Sequence, residues 1–109
     1  MSSNFVKNPG NLQNLFNQIK DKKLSPVDLI NSYINRINDT QKDIEQWKSY
    51  DFEKAIETAK LREQQVIDNN ILGPLHGIPV GIKDIIHAEG FKTEFNCKAF
   101  KSTKISKLD

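Results

Sequence analysis

The sequence of 109 residues contains a single cysteine, Cys97, and has no long uninterrupted apolar run. One cysteine excludes an intrachain disulfide framework and a cysteine-rich zinc site, and it fits a reducing compartment. The longest uncharged apolar stretch, residues 71–82, is broken repeatedly by glycine and proline, and residues 1–11 lack the apolar run of a signal peptide. We therefore expect a cytoplasmic protein that does not enter a membrane.

The sequence also lacks an excess of charge of either sign. Its 16 Lys and Arg residues are balanced by 14 Asp and Glu residues, giving a formal net charge of +2. Such mixing provides no basic footprint for nucleic acid or a membrane surface, and we expect neither as a partner. A lysine-rich stretch near residue 100 is interpreted as a solvated face rather than a binding patch. Its lysines are Lys98, Lys101, Lys104 and Lys107.

Periodic apolar residues predict two helices in the first 40 residues. The first fades into the polar stretch 20–23, and its apolar positions are Leu12, Leu15, Phe16 and Ile19. At the second, Ser25 can act as the N-cap, Pro26 fits the first helical position and Asp28 favours the positive helix end. We expect this second helix to stop at the polar residues 38–40.

A third helix and a short strand are predicted between residues 44 and 70. Ile44 to Tyr50 is a short mixed segment with two aromatic side chains, which fits either a strand or the end of a turn; we favour the strand. Asp51 is the expected cap of the third helix, which should end at residues 68–70. Residues 11–70 are thus the helical part of the chain.

The region from 71 to 100 differs, and we expect it to contain a strand. Its glycines and prolines give way to a β-favouring apolar run from Ile78 to Ile86, which predicts a strand buried on both faces. Alternation places Gly81 and Lys83 on the same face of that strand. Pro79 cannot donate a ladder hydrogen bond, which favours a strand start or an edge.

Lys83 is the candidate catalytic residue. A buried ammonium loses its hydration, so such a lysine either pairs with an acid or is held neutral, and a neutral amine can accept a proton from a serine. The alternative is a lysine at a strand end that pairs with Asp84 or extends to solvent. Gly81 leaves room for a backbone or a substrate, and Asp84 either supports the site or is an ordinary carboxylate at a strand end.

The run GPLHGIPVGIKD, residues 73–84, resembles the first conserved block of the amidase signature family, G-P-L-H-G-I-P-x-x-x-K-D. The order of predicted elements is similar too, over about residues 10 to 100. The resemblance implies an α/β fold, with residues 1–109 as the N-terminal part of the amidase-signature domain: about three helices packed on a small mixed-sheet remnant. Two departures are Ile85, where many members have Asn, and residues 93–97, where many have a Thr-Thr-x-Gly-Ser-like segment.

The resemblance further implies hydrolysis of a small amide by a Ser, cis-Ser, Lys triad. The lysine matching Lys83 takes a proton, through the bridging serine, from the nucleophilic serine, and backbone N–H groups of a later loop rich in Gly and Ser stabilise the oxyanion. Asp84 and Gly81 would support the site. Ser102 and Ser106 stand among lysines without a nearby glycine, so neither resembles the nucleophile, and we expect the chain alone to be inactive.

No cofactor or metal is expected. His76 and His87 lie eleven residues apart without acids or thiols at ligand spacing, so we expect His76 to stabilise its loop by a hydrogen bond. The Cys97 side chain is expected to be small and partly buried.

Three functions stay open: an amidase fragment, a split enzyme whose partner chain supplies the serines, and a non-catalytic binding module. Within the family, the A subunit of an aminoacyl-tRNA amidotransferase is the main alternative to a small-amide hydrolase.

Overall fold

The computed structural model describes residues 11–100 and 104–109, and these contain three α-helices. The helices are α1 (Leu12–Lys20), α2 (Pro26–Ile44) and α3 (Phe52–Ile67), followed by a short 3-10 helix, Lys98–Phe100. The chain divides into two compact units, Met1–Pro79 and Val80–Asp109, called the helical unit and the lysine unit below. None of the described helices is long and apolar enough to cross a membrane.

The predicted helix caps are confirmed. The Ser25 hydroxyl accepts hydrogen bonds from the N–H groups of Val27 (3.0 Å) and Asp28 (3.3 Å), and Pro26 is the first helical residue of α2. At α3, the Asp51 carboxylate accepts from the Lys54 N–H at 3.0 Å. These bonds satisfy backbone donors that have no partner within the first helical turn, and both helices begin where their capping residues predict.

Two predictions are wrong, one on the end of α2 and one on the segment that follows it. The helix passes through residues 38–40 because Thr40 directs its hydroxyl back to the Arg36 carbonyl (2.9 Å), which keeps this polar group satisfied inside the helix. It ends instead at Glu45, whose φ of 54° is left-handed. The expected strand from Ile44 to Tyr50 does not form. The Gln41 amide binds both the N–H and the carbonyl of Trp47, so neither group is available to a neighbouring strand.

The predicted sheet remnant is also absent from the described residues. A strand needs a second strand to take its hydrogen bonds, and none of the described segments pairs with Ile78 to Ile86. Pro79 has no N–H, while the Ile78 and Ile86 N–H groups form local turns, to the carbonyls of Leu75 (3.0 Å) and Lys83 (3.0 Å). The expectation of a strand buried on both faces is therefore wrong for this chain.

The core lies between the helices of the helical unit. One buried cluster joins α1, α2 and α3, with Tyr33, Ile71 and Ile78 packed against it; its members are Leu15, Ile19, Leu24, Leu29 and Val66. A second cluster, Ile30, Ile34 and Ala59, joins α2 to α3. Each fully buried leucine, isoleucine or valine side chain stabilises the fold by about 1.5–3 kcal/mol relative to an exposed one. A hydrogen bond from the Ser25 hydroxyl to the Glu63 carboxylate also links α2 to α3.

Candidate functional site

The first half of the GPLHGIPVGIKD block is anchored within the helical unit through His76. This side chain is only 5% exposed. Its Nδ1 accepts a hydrogen bond from the Leu72 N–H (3.2 Å), and its Nε2 lies 2.9 Å from the Arg62 carbonyl oxygen. Because a carbonyl only accepts and an N–H only donates, these two contacts fit the tautomer with its hydrogen on Nε2. The expected loop-stabilising role of His76 is confirmed, and both ring nitrogens are in use.

Gly77 makes a close contact that a side chain at this position would disturb. Its φ is +79°, and a Cβ built on it would lie 2.9 Å from Pro26 Cγ and 3.3 Å from Pro26 Cβ. The glycine therefore lets the block pack directly on the first turn of α2. Ile78 follows and packs against the core cluster. Residues 76–78 thus belong to the packing of the helical unit rather than to an exposed reactive segment.

The second half of the block, which carries Lys83, lies in the lysine unit and is exposed. Lys83 and Gly81 are both exposed, so the expectation of a buried ammonium is wrong, and the alternative of a lysine that extends to solvent fits the structure better. The Lys83 carbonyl accepts from the Ile86 N–H, which places Lys83 at the start of a tight turn. Apolar side chains on both sides of it are at least half exposed: Val80, Ile82, Ile85 and Ile86.

Asp84 organises a turn ten residues further along the chain. Its Oδ1 accepts from the Glu94 N–H (2.9 Å), its Oδ2 from the Asn96 N–H (2.9 Å) and its backbone carbonyl from the Phe95 N–H (3.0 Å). Three successive backbone donors are thus satisfied by one residue. Phe95 and Asn96 are left-handed, with φ of 52° and 49°. Asparagine adopts this conformation readily, as glycine does.

Further hydrogen bonds within the lysine unit involve residues 87–93 and Ser106. His87 Nδ1 lies 2.8 Å from the hydroxyl of Thr93, which is 2% exposed. The Ser106 backbone pairs with the 90–91 turn, accepting from the Gly90 N–H (2.9 Å) and donating to the Phe91 carbonyl (2.8 Å). These hydrogen bonds connect the segment 87–93 internally and to Ser106.

Three other side chains of this unit were candidates for reactivity: Ser102, Ser106 and Cys97. The Ser106 hydroxyl donates to the Leu108 carbonyl and accepts from the Leu108 N–H, forming a local turn. Ser102 lies outside the described residues. Cys97 is exposed, so the expectation of a partly buried thiol is wrong. The described part of the chain holds no cluster of three His, Cys, Asp or Glu side chains suited to a metal ion.

Comparison with known proteins identifies one family. The family model described as Amidase matches residues 28–107. Similar curated proteins are the A subunits of glutamyl-tRNA(Gln) amidotransferase from Staphylococcus aureus strains JH9, Newman and JH1. Each is 33% identical over 104 residues, covering 89% of this chain and 21% of the relative. The chain thus spans about a fifth of the length of the curated relatives it matches. No solved structure matches it.

Proposed function

The chain belongs to the amidase family, and from this we propose that it is an N-terminal part of an amide-hydrolysing enzyme in which Lys83 is the catalytic lysine. The observation that carries the proposal is the complete block at residues 73–84, with a lysine at the family's lysine position. The structure supports different roles for the two halves of the block. His76 and Gly77 pack in the helical unit, while Lys83 is exposed and accessible to other groups.

The proposed reaction needs two serines from outside these 109 residues. The nucleophilic serine attacks the carbonyl carbon of the amide while its proton passes through the bridging serine to the amine of Lys83. Lys83 later returns that proton, by the same route, to the leaving nitrogen as the C–N bond breaks, and water then hydrolyses the acyl-serine to free the enzyme. Ser106 is unsuited to either serine role because its hydroxyl already closes a turn with Leu108. The 109 residues alone are therefore proposed to be inactive.

The exposed apolar side chains around Lys83 support completion by further protein. Val80 is 65% exposed and Ile82 50%, although apolar area gains about 25 cal/mol per Å² when it leaves water. Covering this segment with the remaining part of an amidase domain would bury these side chains and remove water from the lysine. A desolvated lysine favours its neutral form, which is the form that accepts a proton. A small amide as the substrate and a cytoplasmic location belong to the same proposal.

A second candidate follows from the relatives, which are subunits of a glutamyl-tRNA(Gln) amidotransferase. On this alternative the chain is part of such an amidotransferase and works with partner chains on aminoacyl-tRNA. The same lysine chemistry would serve both candidates, because each requires cleavage of an amide C–N bond. A split enzyme, in which a separate chain supplies the serines, is the third arrangement compatible with Lys83, whereas a non-catalytic binding module would not use this side chain.

A chimera tests the proposal. The matching N-terminal fifth of the S. aureus relative is replaced by this chain, and hydrolysis of glutamine and a panel of simple amides is measured. We expect activity that Lys83→Ala lowers by about 10³-fold or more, as for removal of other triad members. Lys98→Ala, which changes an exposed lysine in the same unit, is the matched control and should retain activity. A folded, active chimera that tolerates Lys83→Ala would contradict the proposal.

A further inference from the structure

Asp84 accepts hydrogen bonds from three backbone N–H groups. Both carboxylate oxygens and its own carbonyl accept from three consecutive N–H groups, those of Glu94, Phe95 and Asn96. The turn they form contains two left-handed residues in succession, which is a strained conformation for Phe95. A negative charge facing converging N–H groups stabilises such a turn, because bonds to a charged acceptor are stronger than neutral ones.

We propose that Asp84 is a positioning residue that fixes the backbone carrying Lys83. This inference rests on the proposed function, since it assigns Lys83 the reacting amine. The peptide between residues 83 and 84 is held on both sides: the Lys83 carbonyl accepts from the Ile86 N–H, and Asp84 is bound to the 94–96 turn through side chain and backbone. Asp84 therefore acts through Lys83, by limiting the directions in which the lysine side chain leaves the chain.

The pattern specifies aspartate rather than its nearest analogues. Asparagine has one acceptor oxygen, so its amide nitrogen would face an N–H donor at either Glu94 or Asn96. Glutamate keeps both oxygens but carries one more methylene, so it can bind the turn only with a shift of the backbone. The expected order of turn stability is therefore aspartate, then glutamate, then asparagine. A role as a general negative charge would instead make glutamate equal to aspartate.

The three hydrogen bonds from the N–H groups of residues 94–96 to Asp84 are called the clamp below. Amide hydrogen exchange in the ¹⁵N-labelled 109-residue chain tests the clamp without any catalysis. For Asp84→Asn we expect exchange at Glu94 and Asn96 to rise about tenfold or more, and exchange at Ile86, whose N–H binds the Lys83 carbonyl, to rise about threefold or more. Asp84→Glu should restore part of the protection at all three amides. Asp39→Asn, the same change on an exposed residue of α2, should leave all three unchanged.

Two results would overturn the inference. Unchanged exchange at Glu94 and Asn96 in Asp84→Asn would show that the carboxylate does not hold the turn. A rise at those amides with an unchanged Ile86 would show a clamp that does not reach the lysine backbone. In the active chimera, Asp84→Asn should lower kcat about tenfold with KM changed less than about threefold, whereas a loss confined to KM would also overturn it. Because exchange requires no activity, its outcome stands even where the proposed reaction fails.

Discussion

The helical unit and the lysine unit are stabilised by different forces. In the helical unit, two apolar clusters join α1, α2 and α3, and Ile19 and Leu29 are each only 1% exposed. Among the described residues of the lysine unit, Thr93 alone is buried, and hydrogen bonds to backbone groups define its path. The comparison teaches that the part carrying the candidate lysine does not bury its own apolar residues, whereas the part that precedes it does.

The largest effect should come from a cavity in the helical unit. Leu29→Ala removes a buried side chain from the cluster that joins the three helices, and we expect a loss of about 2–5 kcal/mol in the free energy of unfolding. Urea unfolding followed by circular dichroism measures it, since the three α-helices of the described residues belong to this unit. Ile82→Ala, at a half-exposed position in the lysine unit, should cost less than about 0.5 kcal/mol. Equal losses would contradict the comparison.

A smaller loss is expected where the block packs on α2. Gly77→Ala introduces a Cβ close to Pro26 at a positive φ, and the two effects together should cost about 2–4 kcal/mol. Gly73→Ala belongs to the same block, but its Cβ would meet nothing within 4 Å, so it should change stability by less than about 0.5 kcal/mol. The urea midpoints of the two variants measure this difference in stability. Similar midpoints would contradict the close packing at Gly77.

A still smaller loss in the free energy of unfolding should follow from replacing His76. His76→Leu introduces an apolar side chain of similar size and leaves the Leu72 N–H and the Arg62 carbonyl without this partner, at a cost of about 1–3 kcal/mol. The urea midpoint and the exchange rate of the Leu72 amide both report this loss. His87→Leu affects a bond to Thr93 within the lysine unit and should leave the helical unfolding transition unchanged. A shift of that transition by His87→Leu would show that the two units do not unfold separately.

Local chemistry made part of this fold predictable from sequence. The caps at Ser25 and Asp51 depend on bonds to N–H groups two or three residues ahead, and both were predicted correctly. The end of α2 was missed because Thr40 satisfies its hydroxyl on a carbonyl four residues back, which allows polar residues within a helix. Sequence periodicity does not reveal such a bond.

Non-local partners explain the remaining differences. The run from Ile78 to Ile86 has the composition of a strand, but a strand also requires a neighbour, and the described residues provide none. The clamp at Asp84 joins residues ten to twelve positions apart, so its bonds leave no periodic signal in the sequence. For the candidate site, Lys83, Asp84 and Gly81 stay predictions from the block at residues 73–84, while their exposure and contacts required the structure.

The most direct test mixes the purified 109-residue chain with an S. aureus relative that lacks its matching N-terminal segment, and measures amide hydrolysis. We predict no activity from either component alone, activity from the mixture, and loss of that activity when the chain carries Lys83→Ala. Activity in the 109-residue chain alone that disappears with Lys83→Ala would contradict the proposal that the serines lie outside it. Equal activity of mixtures with and without Lys83→Ala would contradict the catalytic role of the lysine.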